Sequence, residues 1–208
     1  MALTAQQQTA LLQMTQAMFN ATPGTVYLDE LSTQLEAGSS IASIAQGLLG
    51  TELFLGKNYA DDLAPSDFAQ AFIDDFIGDR ASSDSKAIAV NFIVSKITAG
   101  AKQNQIIAEI TNTLSSFSVT DPDWGEAALH FKTENISKVV NNLLADSVSA
   151  DDKASAVEAM LDQISTGKIF GDVVEWAIKA LGDLDQTDPI WGIAATRFDN
   201  RTEVSQYY

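Results

Sequence analysis

Two stretches of this chain gather carboxylates at a spacing that could hold a hard cation. Asp183, Asp185 and Asp188 fall close together, and Asp121 and Asp123 flank a proline. Oxygen ligands of this kind suit calcium, although neither stretch follows the EF-hand loop pattern. The same residues have a second reading. Asp121 and Asp188 each precede a proline, as an N-cap precedes the first helical position, where a missing N–H costs nothing. The helix dipole also favours acidic side chains there. Trp124 and Trp191 follow directly, and such a ring can lock a helix into a core or stack on a sugar. Ala127, Ala128 and Phe131 share the face of Trp124, so the ring is expected to bury with them. Tyr207 and Tyr208 close the sequence and are further aromatic candidates for a ligand.

For catalysis the inventory is thin. His130 is the only histidine, there is no cysteine, and no nucleophile of an expected type stands out for the histidine to serve. No glycine-rich phosphate loop, H-E-x-x-H or G-x-S-x-G occurs. The expectation is a protein that is not an enzyme, with no catalytic residues.

The elements that position these residues are repeated. Thr120 to Phe131 (TDPDWGEAALHF) returns as Thr187 to Phe198 (TDPIWGIAATRF), with eight of twelve positions identical at an offset of 67. The register holds backwards without a gap through Leu114/Leu181, Gly100/Gly167, Ile97/Ile164 and Asp79/Asp146, giving 18 identities over 64 aligned positions. It pairs His130 with Arg197. A fixed period means one structural unit copied in tandem. At an offset of 62, Leu35, Gly38 and Ile44 match Ile97, Gly100 and Ile106, so the first unit is a diverged copy. The units span about 5–60, 66–131 and 132–198, in one domain covering 1–208.

Apolar residues recur at helical spacing throughout, as in Phe68, Phe72, Ile73 and Phe76, or Val157, Met160, Leu161 and Ile164. Thr4 and Gln7 form a capping-box pattern, Ser149 and Asp152 another, and Gly38, Gly100 and Gly167 mark helix ends. Sustained period-2 alternation and Asn-Gly or Asp-Gly hairpins are missing. The spacing predicts an all-α fold of about nine to eleven helices, built as tandem helical repeats in one elongated or bundled body.

Composition bounds the partners. Twelve Lys and Arg against 28 Asp and Glu give a net charge of −16. That charge repels phosphate backbones, so nucleic-acid binding is disfavoured. No apolar run approaches a membrane span, and no lysine or arginine precedes Lys57, so the basic start of a secretory signal peptide is not expected. Without cysteine, neither a disulfide framework nor a thiolate metal site can form.

The phrase Leu35-Glu36-Ala37-Gly38-Ser39-Ser40, the helix from Ile41 to Ala45, and the closing Phe198 to Tyr208 resemble the N-terminal helical regions of bacterial surface-layer (S-layer) proteins. They are equally similar to a helical-repeat family found in large secreted RTX-type proteins. That resemblance implies an extracellular place on the bacterial surface and attachment to lipopolysaccharide or another surface polysaccharide, with calcium as a candidate bridging ion. It also implies self-association in a lattice, and type I secretion driven by a separate C-terminal part. The competing class is a helical-repeat adaptor or oligomerisation module that binds another protein.

Overall fold

The chain is all-helical in the computed structural model, which describes residues 3–60 and 62–207. Among those residues eleven helices follow one another. They are α1 (Ala5–Phe19), α2 (Thr25–Glu36), α3 (Ile41–Leu49), α4 (Glu52–Leu55), α5 (Pro65–Phe76) and α6 (Ser83–Thr98). Then come α7 (Gln103–Ser116), α8 (Gly125–Leu144), α9 (Ala150–Ser165), α10 (Phe170–Gly182) and α11 (Gly192–Ser205).

Helix ends are set by local chemistry. Thr4 accepts from the Gln7 N–H at 3.2 Å while the Gln7 amide oxygen accepts the Thr4 N–H at 2.9 Å, the reciprocal box that starts α1. Ser82 and Ser149, 67 residues apart, each accept an N–H three residues on at 3.1 Å and start α6 and α9. Gly38, Gly100 and Gly167 take φ of +97°, +96° and +93°, a left-handed turn that costs glycine little and a side-chain-bearing residue more. The turn lets Ser39 and Ala101 donate to Gln34 and Lys96 carbonyls at 3.1 and 3.0 Å.

The sequence offset therefore reappears in the backbone. Adding 67 to the bounds of α6 gives the bounds of α9, and adding it to the first residue of α8 gives the first residue of α11. One position keeps the geometry but has lost the residue that suits it. Gly78 has φ +56°, and its counterpart Ala145 is held at φ +43°. A left-handed conformation costs an alanine roughly 1–2 kcal/mol, partly offset by the extra unfolded-state freedom of glycine. Ala145→Gly should thus stabilise the protein by about 0.5–1 kcal/mol, read as a higher urea midpoint at unchanged slope. A lower midpoint would refute the strain.

The helices fall into two compact units. The first comprises residues up to Gln46 and from Asn135 onward, and the second runs from Gly47 to Glu134. In the first, α1 packs on α2, α10 and α11, and α10 also packs on α9 and α11. Leu11, Met14, Val139, Val173, Val174 and Phe198 are buried there. In the second, α5 packs on α6 and α6 on α7, around an aromatic core. Phe68, Phe72 and Phe76 stand at helical spacing with ring centroids 6.0 and 4.7 Å apart, Tyr59 meets Phe68 edge-on at 5.2 Å, and Phe131 meets Phe76 at 6.1 Å. Asp75 holds Tyr59 in place by accepting its hydroxyl at 2.9 Å, while pairing with Lys57 at 2.9 Å. Burial first, and then that hydrogen bond, push the Tyr59 pKa well above its ordinary value.

Candidate functional site

The two aspartates of the repeated stretch hold the turn ahead of each helix, and the helix itself starts four residues on, with Trp191 at the N-cap position of α11. One Asp121 oxygen accepts the Asp123 and Trp124 N–H groups at 2.9 and 2.8 Å, and one Asp188 oxygen accepts those of Ile190 and Trp191 at 2.8 Å each. The turn that each opens leads into α8 or α11, whose regular part begins at the following glycine. Asp185 is likewise engaged, accepting the Thr187 N–H at 2.8 Å and its hydroxyl at 2.7 Å. The backbone N–H first, then the hydroxyl, hold its carboxyl below the ordinary range. Asp123 and Asp183 are exposed. Among the described residues no group of three or more histidine or acidic side chains converges as a metal site.

The tryptophans differ from the sequence-based expectation in one respect. Ala127, Ala128 and Phe131 bury as expected, as do Ala194, Ala195 and Phe198, but Trp124 and Trp191 are only half-buried. Each stands in the turn before its helix, so its ring borders a groove instead of entering the core. Trp124 lies stacked on Phe117, with centroids 6.0 Å apart and planes 12° apart, so one of its faces is taken. Burial short of complete brings only part of the roughly 4–6 kcal/mol that complete burial of such a ring provides. Tyr207 is 88% exposed, and Tyr208 lies outside the described residues. His130 pairs with Glu134 at 3.7 Å, one turn on along α8.

A site that the motifs do not announce lies in the first unit. It is a cavity of about 620 Å³ between α11 and the end of α1. The chain has three arginines, and two of them, Arg197 and Arg201, line this cavity one turn apart on α11. Asn20, Thr22, Thr196 and Asn200 add neutral donors and acceptors, and no carboxylate lines it. Asp199, which lies next in sequence to this wall, accepts the Gln186 amide N–H at 3.0 Å.

Buried polar contacts hold the wall in place. Arg201 donates to the Asn142 carbonyl at 3.1 Å, and the Asn142 amide donates to the Ala17 and Met18 carbonyls at 3.1 and 2.9 Å. Gln16 donates to Ser205 Oγ at 2.8 Å, and Thr22 Oγ1 lies 2.6 Å from the same oxygen. Burial first, and the neighbouring Arg197 second, lower the Arg201 pKa from its ordinary value. The guanidinium stays charged at neutral pH, because an arginine's ordinary pKa lies far above neutrality. Arg197 receives no hydrogen bond or ion-pair partner among the described residues, which leaves its planar fork free for a ligand. In the preceding repeat the same two positions carry His130 and Glu134, whose Nε2 and Oε2 stand 3.7 Å apart. That exchange of a histidine and a carboxylate for two arginines is the signal in the sequence that points to this wall.

The arrangement can grip one anionic group and hydrogen-bond the hydroxyls around it. Its volume lies within the range of about 300–1,000 Å³ found for small-molecule sites. Among the described residues no helix is long and apolar enough to cross a membrane. No family model, curated protein or solved structure matches this chain.

Proposed function

We propose that this chain is a non-enzymatic binding module that attaches its protein to the bacterial surface by holding an acidic or phosphorylated sugar of lipopolysaccharide or a related polysaccharide. The observation that carries this reading is the carboxylate-free cavity with Arg197 and Arg201 in a chain of net charge −16. A guanidinium meets phosphate or carboxylate with two parallel hydrogen bonds, whereas amides and hydroxyls suit sugar hydroxyls. The acidic surface repels a polyanion, but at physiological salt that repulsion is screened beyond about 8 Å, so short-range contacts decide binding. Calcium enters this reading as a bridge between surface carboxylates and ligand phosphates.

Purified lipopolysaccharide, intact or chemically stripped of phosphate, should be titrated into the 208-residue chain with calcium and with chelator. Binding should fall by at least about tenfold in Arg197→Gln, the loss of one charge-assisted pair. Arg197 is the cleaner probe, since Arg201 also holds Asn142. No binding in either condition rejects the anchoring role. Binding that Arg197→Gln leaves unchanged rejects the cavity as its site, and binding indifferent to chelator rejects only the calcium bridge.

A further inference from the structure

Each unit carries an apolar groove beside its repeated tryptophan. In the second unit the groove lies between α6 and α7, where Ile88, Phe92, Leu114 and Trp124 border about 240 Å³. In the first unit it lies between α9 and α10, where Ala159, Met160, Trp176 and Trp191 border about 270 Å³. Adding 67 to the number of every residue lining the former gives a residue lining the latter. The groove has thus been kept while its lining diverged, Ile88 to Ser155, Phe92 to Ala159 and Ile110 to Ala177. An apolar cavity of about 150 Å³ accepts a benzene ring, so each groove has room for one large apolar side chain.

What separates the two grooves is charge. Between Asp151 and Asp185, the helical hairpin that forms the first unit's groove, eight carboxylates stand against three lysines. The corresponding stretch from Asp84 to Ser118 has two carboxylates against three lysines. The groove is lined by uncharged residues, and helical spacing of three or four from them places Asp152, Asp162, Asp172 and Asp183 beside it against Lys153 and Lys179. A second copy of this chain, itself at net −16, is repelled from such a rim, and so is an anionic lipid surface. A helix with leucine or an aromatic residue on one face and lysine or arginine on the other satisfies both the apolar floor and the acidic rim. We infer that the α9–α10 groove of the first unit docks a cationic amphipathic helix of another protein, with one large apolar side chain seated against Trp176 and Trp191. The α6–α7 groove, alike in shape but not acidic, is the internal control.

The test uses a synthetic amphipathic helix of leucine and lysine, and a leucine and glutamate counterpart, titrated into the full chain by calorimetry. The lysine peptide should bind with one site per chain and weaken as salt rises. Ala159→Phe places at this position the residue that the equivalent groove already has at Phe92, so it fills the groove with a side chain the fold accommodates. It should weaken binding at least about tenfold, the loss of one seated side chain. Ala89→Phe in the control groove should leave binding within about twofold, well inside the tenfold change that 1.4 kcal/mol represents. Equal binding of the glutamate peptide overturns the cationic partner. Lysine-peptide binding unchanged by Ala159→Phe overturns the groove, as does no binding at all. A concentration-dependent dimer in sedimentation that Ala159→Phe dissolves overturns the foreign helix in favour of a second copy.

Discussion

Gly171→Ala should destabilise the protein by about 4 kcal/mol or more, which places it among the exceptional single substitutions. A Cβ on Gly171, in the first turn of α10, would lie 1.9 Å from the Ala42 carbonyl oxygen and 3.0 Å from the Gln46 nitrogen, both in α3. Those atoms are backbone, so no side-chain rotation relieves the clash. The two helices would have to part, and the 3.1 Å bond from the Gly171 N–H to the Gln46 amide oxygen would go with them. Alanine is worth about 1 kcal/mol over glycine inside a helix, which makes the sign of the effect decisive. Gly182→Ala, at the other end of α10 with no atom within 4 Å of the added carbon, serves as control and should be neutral or slightly stabilising. Thermal and urea unfolding followed by circular dichroism would check both. An unchanged midpoint for Gly171→Ala would mean that α3 and α10 do not approach so closely.

Gly125→Ala and Gly192→Ala should each cost about 2–4 kcal/mol, and by similar amounts. The added carbon would stand 2.5 Å from the Val119 carbonyl oxygen in one case and 2.3 Å from the Gln186 carbonyl oxygen in the other, each six residues back in its loop. The aspartate of each turn fixes that loop from the other side, so the contact is pinned at both ends. Gly47→Ala, within α3 and open on all sides, should instead gain about 1 kcal/mol. A clear difference between the Gly125 and Gly192 variants would show that the repeats do not share their turn. Stabilisation by either would refute the close approach.

These two glycine sets differ in how they could be foreseen. Gly125 and Gly192 lie in the repeated T-D-P-x-W-G stretch, and their coincidence at offset 67 marks, from residue types alone, a backbone requirement common to both turns. Gly171 has no such partner, because the equivalent position is Asn104. Its need comes only from α3, which is more than a hundred residues away in sequence.

The same divide runs through the candidate site. The caps at Thr4 and Ser149 were legible, as were the turns that Asp121 and Asp188 hold, since each is made by atoms within a few residues of one another. All-helical structure and the ends at Gly38, Gly100 and Gly167 follow from apolar spacing and local turn chemistry in the same way. The partial burial of Trp124 was not legible, because helical spacing sets which residues share a face and not where the face stops. Nor was the arginine cavity. Arg197 and Arg201 can be placed on one face of α11 from sequence, but the facing wall comes from Gln16, Asn20 and Thr22 at the far end of the chain.

What the sequence by itself determined is the kind of element and its repetition: about nine to eleven helices, bounded by caps and glycine turns, with an offset of 67 between the second and third repeats. Those features depend on interactions over a few residues, whose energies the local residue types carry. What only the tertiary structure decided is which surfaces face each other. Residues up to 46 join those after 134 in one unit, two arginines share a cavity free of carboxylates, and residues 67 apart line two matching apolar grooves. Long-range packing makes those choices, because amphipathic helices of similar pattern can bury against one another in many pairings, and only close contacts such as Gly171 on Ala42 select among them.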